Sequence, residues 1–80
     1  MSHHILDARR LLCPMPVIKA QDLVATLAPN DTVEVICTDP GATNDVPAWS
    51  RINGHKVLNI INENNEYIIH IEVVELESQS

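Results

Sequence analysis

At 80 residues the chain has room for one hydrophobic core, and 45% hydrophobic against 20% charged residues marks a folding domain rather than a disordered segment. A formal charge of -6, with Trp49 and Tyr67 as the only tryptophan and tyrosine and no phenylalanine, argues against direct nucleic-acid binding, which needs excess Lys and Arg or stacking platforms. No run approaches the ~20 apolar residues of a membrane span, and the start MSHHILDARR lacks the apolar stretch of a secretory signal, so no membrane contact and a cytoplasmic location are expected.

Residues 4–8 read as a short first strand. Over residues 14–28 the apolar positions Val17, Ala20, Val24 and Leu27 recur at spacings of three and four, which predicts an amphipathic helix. Pro29-Asn30-Asp31 stops it. From Thr32 to Thr38 the residues alternate, with Val33, Val35 and Cys37 on one face and Glu34 and Ile36 on the other, as in a half-buried strand. Residues 39–47 read as a turn rich in helix-capping residues, and a second, shorter helix carrying Ala48, Trp49 and Ile52 is expected to end at Gly54 in left-handed backbone. Residues 55–62 and 66–74 predict two strands joined by a short polar hairpin turn through Asn64 and Asn65.

The predicted order is therefore βαβαββ, in one domain over residues 1–80 with an ordered core of about 4–75. A right-handed crossover makes the first two strands parallel and the hairpin adds an antiparallel pair, giving an α+β fold with a mixed four-stranded sheet. Both helices are expected on one face. The other face, with Ile36, Ile68, His70 and Glu72, would be partly apolar and open to docking.

The informative stretch is Leu12-Cys13-Pro14-Met15-Pro16-Val17, which places a cysteine where the first helix starts. A residue before proline is pushed into extended backbone, as a helix N-cap requires, and proline suits the first helical position. On this reading Cys13 is the N-cap, and the amides of Met15 and Val17 are left free to favour a thiolate, with Pro14 and Pro16 removing the other donors. Arg9 and Arg10 add positive charge if they turn toward the sulfur. A serine would cap equally well, so Cys13→Ser is expected to keep the fold. No second cysteine follows two or three residues on, so dithiol redox cycling is not available locally. On physical chemistry alone, a reactive thiol and a small buried hydrophobe describe Cys13 equally well.

The remaining polar residues attract plainer readings. Cys37 shares a face with Val33 and Val35 and reads as core, so two free thiols are expected rather than a Cys13–Cys37 disulfide. His3, His4, His55 and His70 are scattered without metal-site spacing, and no metal or cofactor is assigned. Trp49 reads as a core anchor and Asp7 as a hydrogen-bond acceptor for the loop carrying Arg9 and Arg10. Asp39 and Asp45 either steer a partner or cap the second helix, with capping preferred.

Asp7, the Leu11-to-Val17 stretch, Asp39-Pro40, Asp45-Val46-Pro47, Trp49 and Gly54-His55 together resemble the TusA/SirA-like sulfur-carrier family, over residues 6–71. The resemblance implies a two-layer α/β sandwich. It also implies a carrier, rather than an enzyme with turnover of its own, that accepts a sulfane sulfur on Cys13 as a persulfide. The sulfur comes from a cysteine desulfurase or rhodanese-type donor and passes to a downstream acceptor protein, for tRNA thiolation, cofactor sulfur supply or sulfur oxidation. One departure stands out: the family usually has glycine where Arg10 stands. The competing reading is a regulatory module that docks partners through the open sheet face.

Overall fold

The computed structural model describes residues 2–12 and 14–74. Six elements follow in the predicted order: β1 (His3–Ala8), α1 (Met15–Val24), β2 (Thr32–Cys37), α2 (Ala42–Ile52), β3 (Lys56–Glu63) and β4 (Glu66–Glu72). The sheet runs β1-β2-β4-β3, with β1 parallel to β2 across the α1 crossover and β4 antiparallel to both β2 and β3. This is the expected α+β arrangement.

The core lies between the sheet and the helices because each element offers one apolar face to it. Val33, Val35 and Cys37 from β2 and Ile69 and Ile71 from β4 are fully buried, and they pack with Ala20 and Val24 of α1 and Ala42 and Val46 of α2. Small residues on the helices let both backbones approach the branched side chains of the central strands. Trp49 packs against this cluster as a partly buried flank, as the sequence implied.

Two helix boundaries differ from expectation. Helix α1 ends at Val24, and the chain continues in tighter turns, with the Thr26 amide donating to Leu23 and the Leu27 amide to Val24. Leu27 still reaches the core from there. Helix α2 starts at Ala42, not after Pro47, and its 11 residues make it no shorter than the 10 of α1. A proline inside a helix costs about 3 kcal/mol. Here the helix face of Ala42, Val46 and Ser50 is buried, the Pro47 ring is buried too, and the Ser50 hydroxyl is satisfied by the Val46 carbonyl at 2.8 Å. That burial outweighs the penalty, a balance invisible to local sequence.

The turns follow their residue chemistry. At the end of α2, Gly54 takes φ 82°, donating its amide to Arg51 while His55 donates to Ser50, a paired closure that few residues other than glycine enter cheaply. Asn64 and Asn65 at φ 53° and 64° form the two-residue hairpin turn that matches strand twist. Asp31 ties the lower end together: its carboxylate accepts the amides of Ser2 at 2.8 Å and Ala28 at 3.0 Å, which holds its pKa below the usual range.

His55 is buried beside Trp49, with ring centroids 5.7 Å apart, and its Nδ1 accepts the Val74 amide at 3.1 Å. That bond needs an unprotonated Nδ1, and burial pushes the pKa below its ordinary 6.5. The unfolded chain therefore takes up this proton at higher pH than the native one. The stability His55 contributes is fully present above about pH 6.5 and is lost as pH falls through the depressed native value. A thermal-melt series is expected to show the melting temperature falling as pH drops below 6.5, before Asp31 or Glu34 titrate, with a flatter profile for His55→Gln. Equal slopes in both proteins would remove His55 from the account.

On the open face, Glu34 stands between two histidines. Its Oε2 lies 2.7 Å from His3 Nε2 and 3.2 Å from His70 Nε2, and these hydrogen bonds hold its carboxyl below the usual range. Asn59 Oδ1 reaches His70 Nδ1 at 2.8 Å. One polar chain thus crosses all four strands beside Ile36 and Ile68, so this face is more polar than alternation suggests.

Candidate functional site

Cys13 lies outside the described residues, so its setting is given by what flanks it. The loop from Arg9 to Leu12 joins β1 to α1 at the carboxyl end of the parallel pair β1 and β2, where Ala8 pairs with Cys37. Leu12 is 73% exposed, Pro14 is exposed, and Met15 and Ile18 on the first turn of α1 are exposed as well. Apolar surface left in water on both sides of a cysteine suits a protein partner better than a core.

The helix start differs from the sequence reading. The N-cap of α1 is Pro14, at φ -98° and ψ 14°, with no side-chain cap; Met15 is the first helical residue and Pro16 sits in the first turn, buried. Cys13 thus stands one residue before the cap, and a serine in its place would not cap the helix. Nor are the two amides free. Met15 donates to the Leu12 carbonyl at 2.8 Å and Val17 to the Pro14 carbonyl at 3.1 Å, closing the turn around the motif. Pro14 and Pro16 therefore act as stiffeners that fix the loop, with the donors of the first turn consumed internally.

The two arginines part company. Arg9 is committed to the sheet end, with Nε and Nη2 each 2.9 Å from an Asp7 oxygen and Nη1 3.3 Å from Glu66. Hydrogen bonding from Arg9 holds the Asp7 carboxyl down at about 2, and Asp7 in turn raises the guanidinium further above its already high value. Asp7 also accepts the Arg9 amide at 3.1 Å, the loop-holding role expected of it. Arg10 adopts φ 68°, left-handed backbone that costs a non-glycine residue, and donates its amide to Thr38 Oγ1 at 2.8 Å. The loop needs the conformation that glycine enters freely, and this chain holds it with arginine.

Asp39 accepts the Gly41 amide at 3.1 Å and so supports the start of α2, while Asp45 lies in the first turn of that helix, where negative charge complements the helix dipole. Neither is the cap itself: the N-cap of α2 is Gly41, with no side-chain cap hydrogen bond, so the expected capping role is replaced by a turn held by Asp39 and a first-turn charge from Asp45. Asp39 also acts on Cys37: burial first, and the Asp39 charge second, push that thiol up to about 11. Cys37 is fully buried and free, as its strand face implied. A thiol-reactive dye added to native Cys13→Ser at neutral pH is therefore expected to find no thiol, and to find one after unfolding. Rapid native labelling would show that β2 opens readily.

Sequence reasoning missed the reach of Arg9 to Glu66, 57 residues away, and the strained backbone of Arg10. No local signal marks the first, whereas an arginine in place of a usual glycine pointed to the second. Among the described residues, no group of three or more His, Cys, Asp or Glu side chains is arranged to hold a metal ion, and no helix is long and apolar enough to cross a membrane.

The family model described as Sulfurtransferase TusA matches residues 4–73. The "Putative sulfur carrier protein YrkI" of Bacillus subtilis is 42% identical over 57 residues, covering 71% of this chain and 76% of that protein. The "Sulfur carrier protein TusA" of Pseudomonas aeruginosa is 37% identical over 67 residues, covering 84% and 85% of the two chains. In fold, the crystal structure of a SirA-like protein from Desulfitobacterium hafniense superposes with a TM-score of 0.81 at 22% identity, covering 90% of this chain and 99% of that one.

Proposed function

This chain belongs to the TusA sulfurtransferase family, whose members work as sulfur carriers, and from that premise we propose that it carries sulfur as a persulfide on Cys13. The observation that carries the reading is the Leu12-Cys13-Pro14-Met15-Pro16-Val17 stretch, whose described flanks are exposed apolar residues on a turn stiffened by two prolines.

The chemistry is two successive exchanges. The Cys13 thiolate attacks the outer, sulfane sulfur of a donor persulfide; the donor's S–S bond breaks, its thiolate leaves, and a new S–S bond forms on Cys13. An acceptor thiolate then attacks the same outer sulfur and releases the Cys13 thiolate. No net oxidation occurs, so the protein needs no cofactor for the transfer. Such a carrier requires access for two partner thiols in turn, which exposed surroundings serve better than a deep pocket. The donor class is a cysteine desulfurase or rhodanese-type protein, and the acceptor a protein thiol further along the relay.

Incubation with a cysteine desulfurase and free cysteine, followed by intact and peptide mass spectrometry, tests this. The expected result is a gain of one sulfur atom on the peptide containing Cys13, removed by a reducing thiol. Absence of any gain with both desulfurase and rhodanese-type donors would sink the reading.

A further inference from the structure

At the carboxyl ends of β1 and β2, facing the β3–β4 turn, lies a polar cleft of about 470 Å³ lined by Arg10, Thr38, Asn64 and Asn65, with Asp7, Arg9 and Glu66 on one side. Three of its lining residues hold left-handed backbone, at φ 68° for Arg10, 53° for Asn64 and 64° for Asn65. The hairpin turn explains the asparagines. Nothing of that kind explains Arg10, since a long side chain gains no local hydrogen bond from this conformation, and backbone strain tends to be retained where a site requires it.

Charges in the cleft divide unequally. Both Asp7 oxygens and one Glu66 oxygen are taken by Arg9. Among the described residues the guanidinium of Arg10 has no hydrogen bond or ion pair, while its amide is fixed to Thr38 Oγ1 at 2.8 Å. The left-handed turn thus sets a forked cation in the lining of a cleft that also offers the two asparagine amides and the Thr38 hydroxyl, which accepts the Arg10 amide and keeps its own proton to donate. A planar acceptor with two oxygens fits that set.

We propose that this cleft is a carboxylate-binding site anchored by Arg10, three residues before the sulfur-bearing position. The carboxylate belongs either to a small thiol compound or to an acidic side chain of a partner protein. With Asp7 and Glu66 balanced by Arg9 and Arg10, the cleft carries no net formal charge, so binding is short-ranged and weakens as salt rises. The site does not depend on sulfur transfer, and its test uses protein unable to carry sulfur.

Amide shifts of the full-length Cys13→Ser protein are followed at low salt with two probes: glutathione, and a capped peptide containing one glutamate. Saturable shifts at Arg10, Thr38 and Asn65 are expected with at least one probe. Response to glutathione alone identifies a small-molecule site, and response to the peptide alone identifies a partner's side chain. Arg10→Gln is expected to weaken binding about tenfold or more, from the loss of charge-assisted hydrogen bonds, with Arg10→Lys intermediate. Arg10→Gly is expected to raise the melting temperature while losing binding, whereas an arginine with a merely structural role would move stability down. No shift with either probe, or unchanged binding by Arg10→Gln, overturns the proposal; failure of Cys13 to take up sulfur would leave it standing.

Discussion

Cys13→Ser is expected to take up no detectable sulfur from any donor that loads the unaltered protein, with a melting temperature within about 4 °C of it. Sulfur transfer requires a group that attacks sulfur as an anion at neutral pH and then holds it through an S–S bond, and a hydroxyl does neither. Cys37 offers no substitute. Its thiol is fully buried and pushed up to about 11, so at pH 7 only about one molecule in ten thousand holds it as thiolate. The modest thermal effect follows from the flanks, since Leu12 and Pro14 are both exposed and the α1 cap is Pro14 itself. Intact mass spectrometry and a melt on the same sample read both quantities. Undiminished loading would move the sulfur to another residue, and a large thermal loss would restore the buried-hydrophobe reading of Cys13.

Ile69→Ala carries the largest expected loss of stability. Ile69 is fully buried on β4, and its neighbours across the sheet are Val35 on β2 and Ile60 on β3. Truncation of a buried isoleucine costs about 2–5 kcal/mol, because the lost transfer energy is joined by an unfilled cavity in a close-packed interior. A domain of this length has about 4–12 kcal/mol in total. Urea unfolding followed by circular dichroism should place the midpoint far below that of the unaltered protein, with an unchanged slope. A loss under about 1 kcal/mol would mean that the helices close over the gap and that the core is more plastic than its packing suggests. Because Ile69 lies on β4, one of the two central strands, and not in the β1–α1 loop, the folded fraction should still load sulfur.

Much of the architecture was legible because period and punctuation act locally. The alternation of Val33, Val35 and Cys37, the asparagine pair at the hairpin and the glycine after α2 each encode a backbone conformation within a few residues. The early start of α2 was not legible. Pro47 is the strongest local signal in that segment and speaks for a turn, while the burial of Ala42 and Val46 that overrides it exists only once the sheet is present. The free-amide account of the site failed for a similar reason: whether Met15 and Val17 keep their donors depends on how the loop closes, and the carbonyls of Leu12 and Pro14 take them.

The amino-acid order alone determined that a single cysteine stands at the start of a proline-stiffened helix in a βαβαββ chain, since these are matters of neighbouring residues and their spacing. Only the tertiary structure decided which distant charges meet: that Arg9 reaches Glu66, that Glu34 lies between His3 and His70, and that, among the described residues, the Arg10 guanidinium stands on a strained turn without a hydrogen bond or ion pair. Such pairings join residues tens of positions apart, and no local pattern encodes a distance that the sheet register sets.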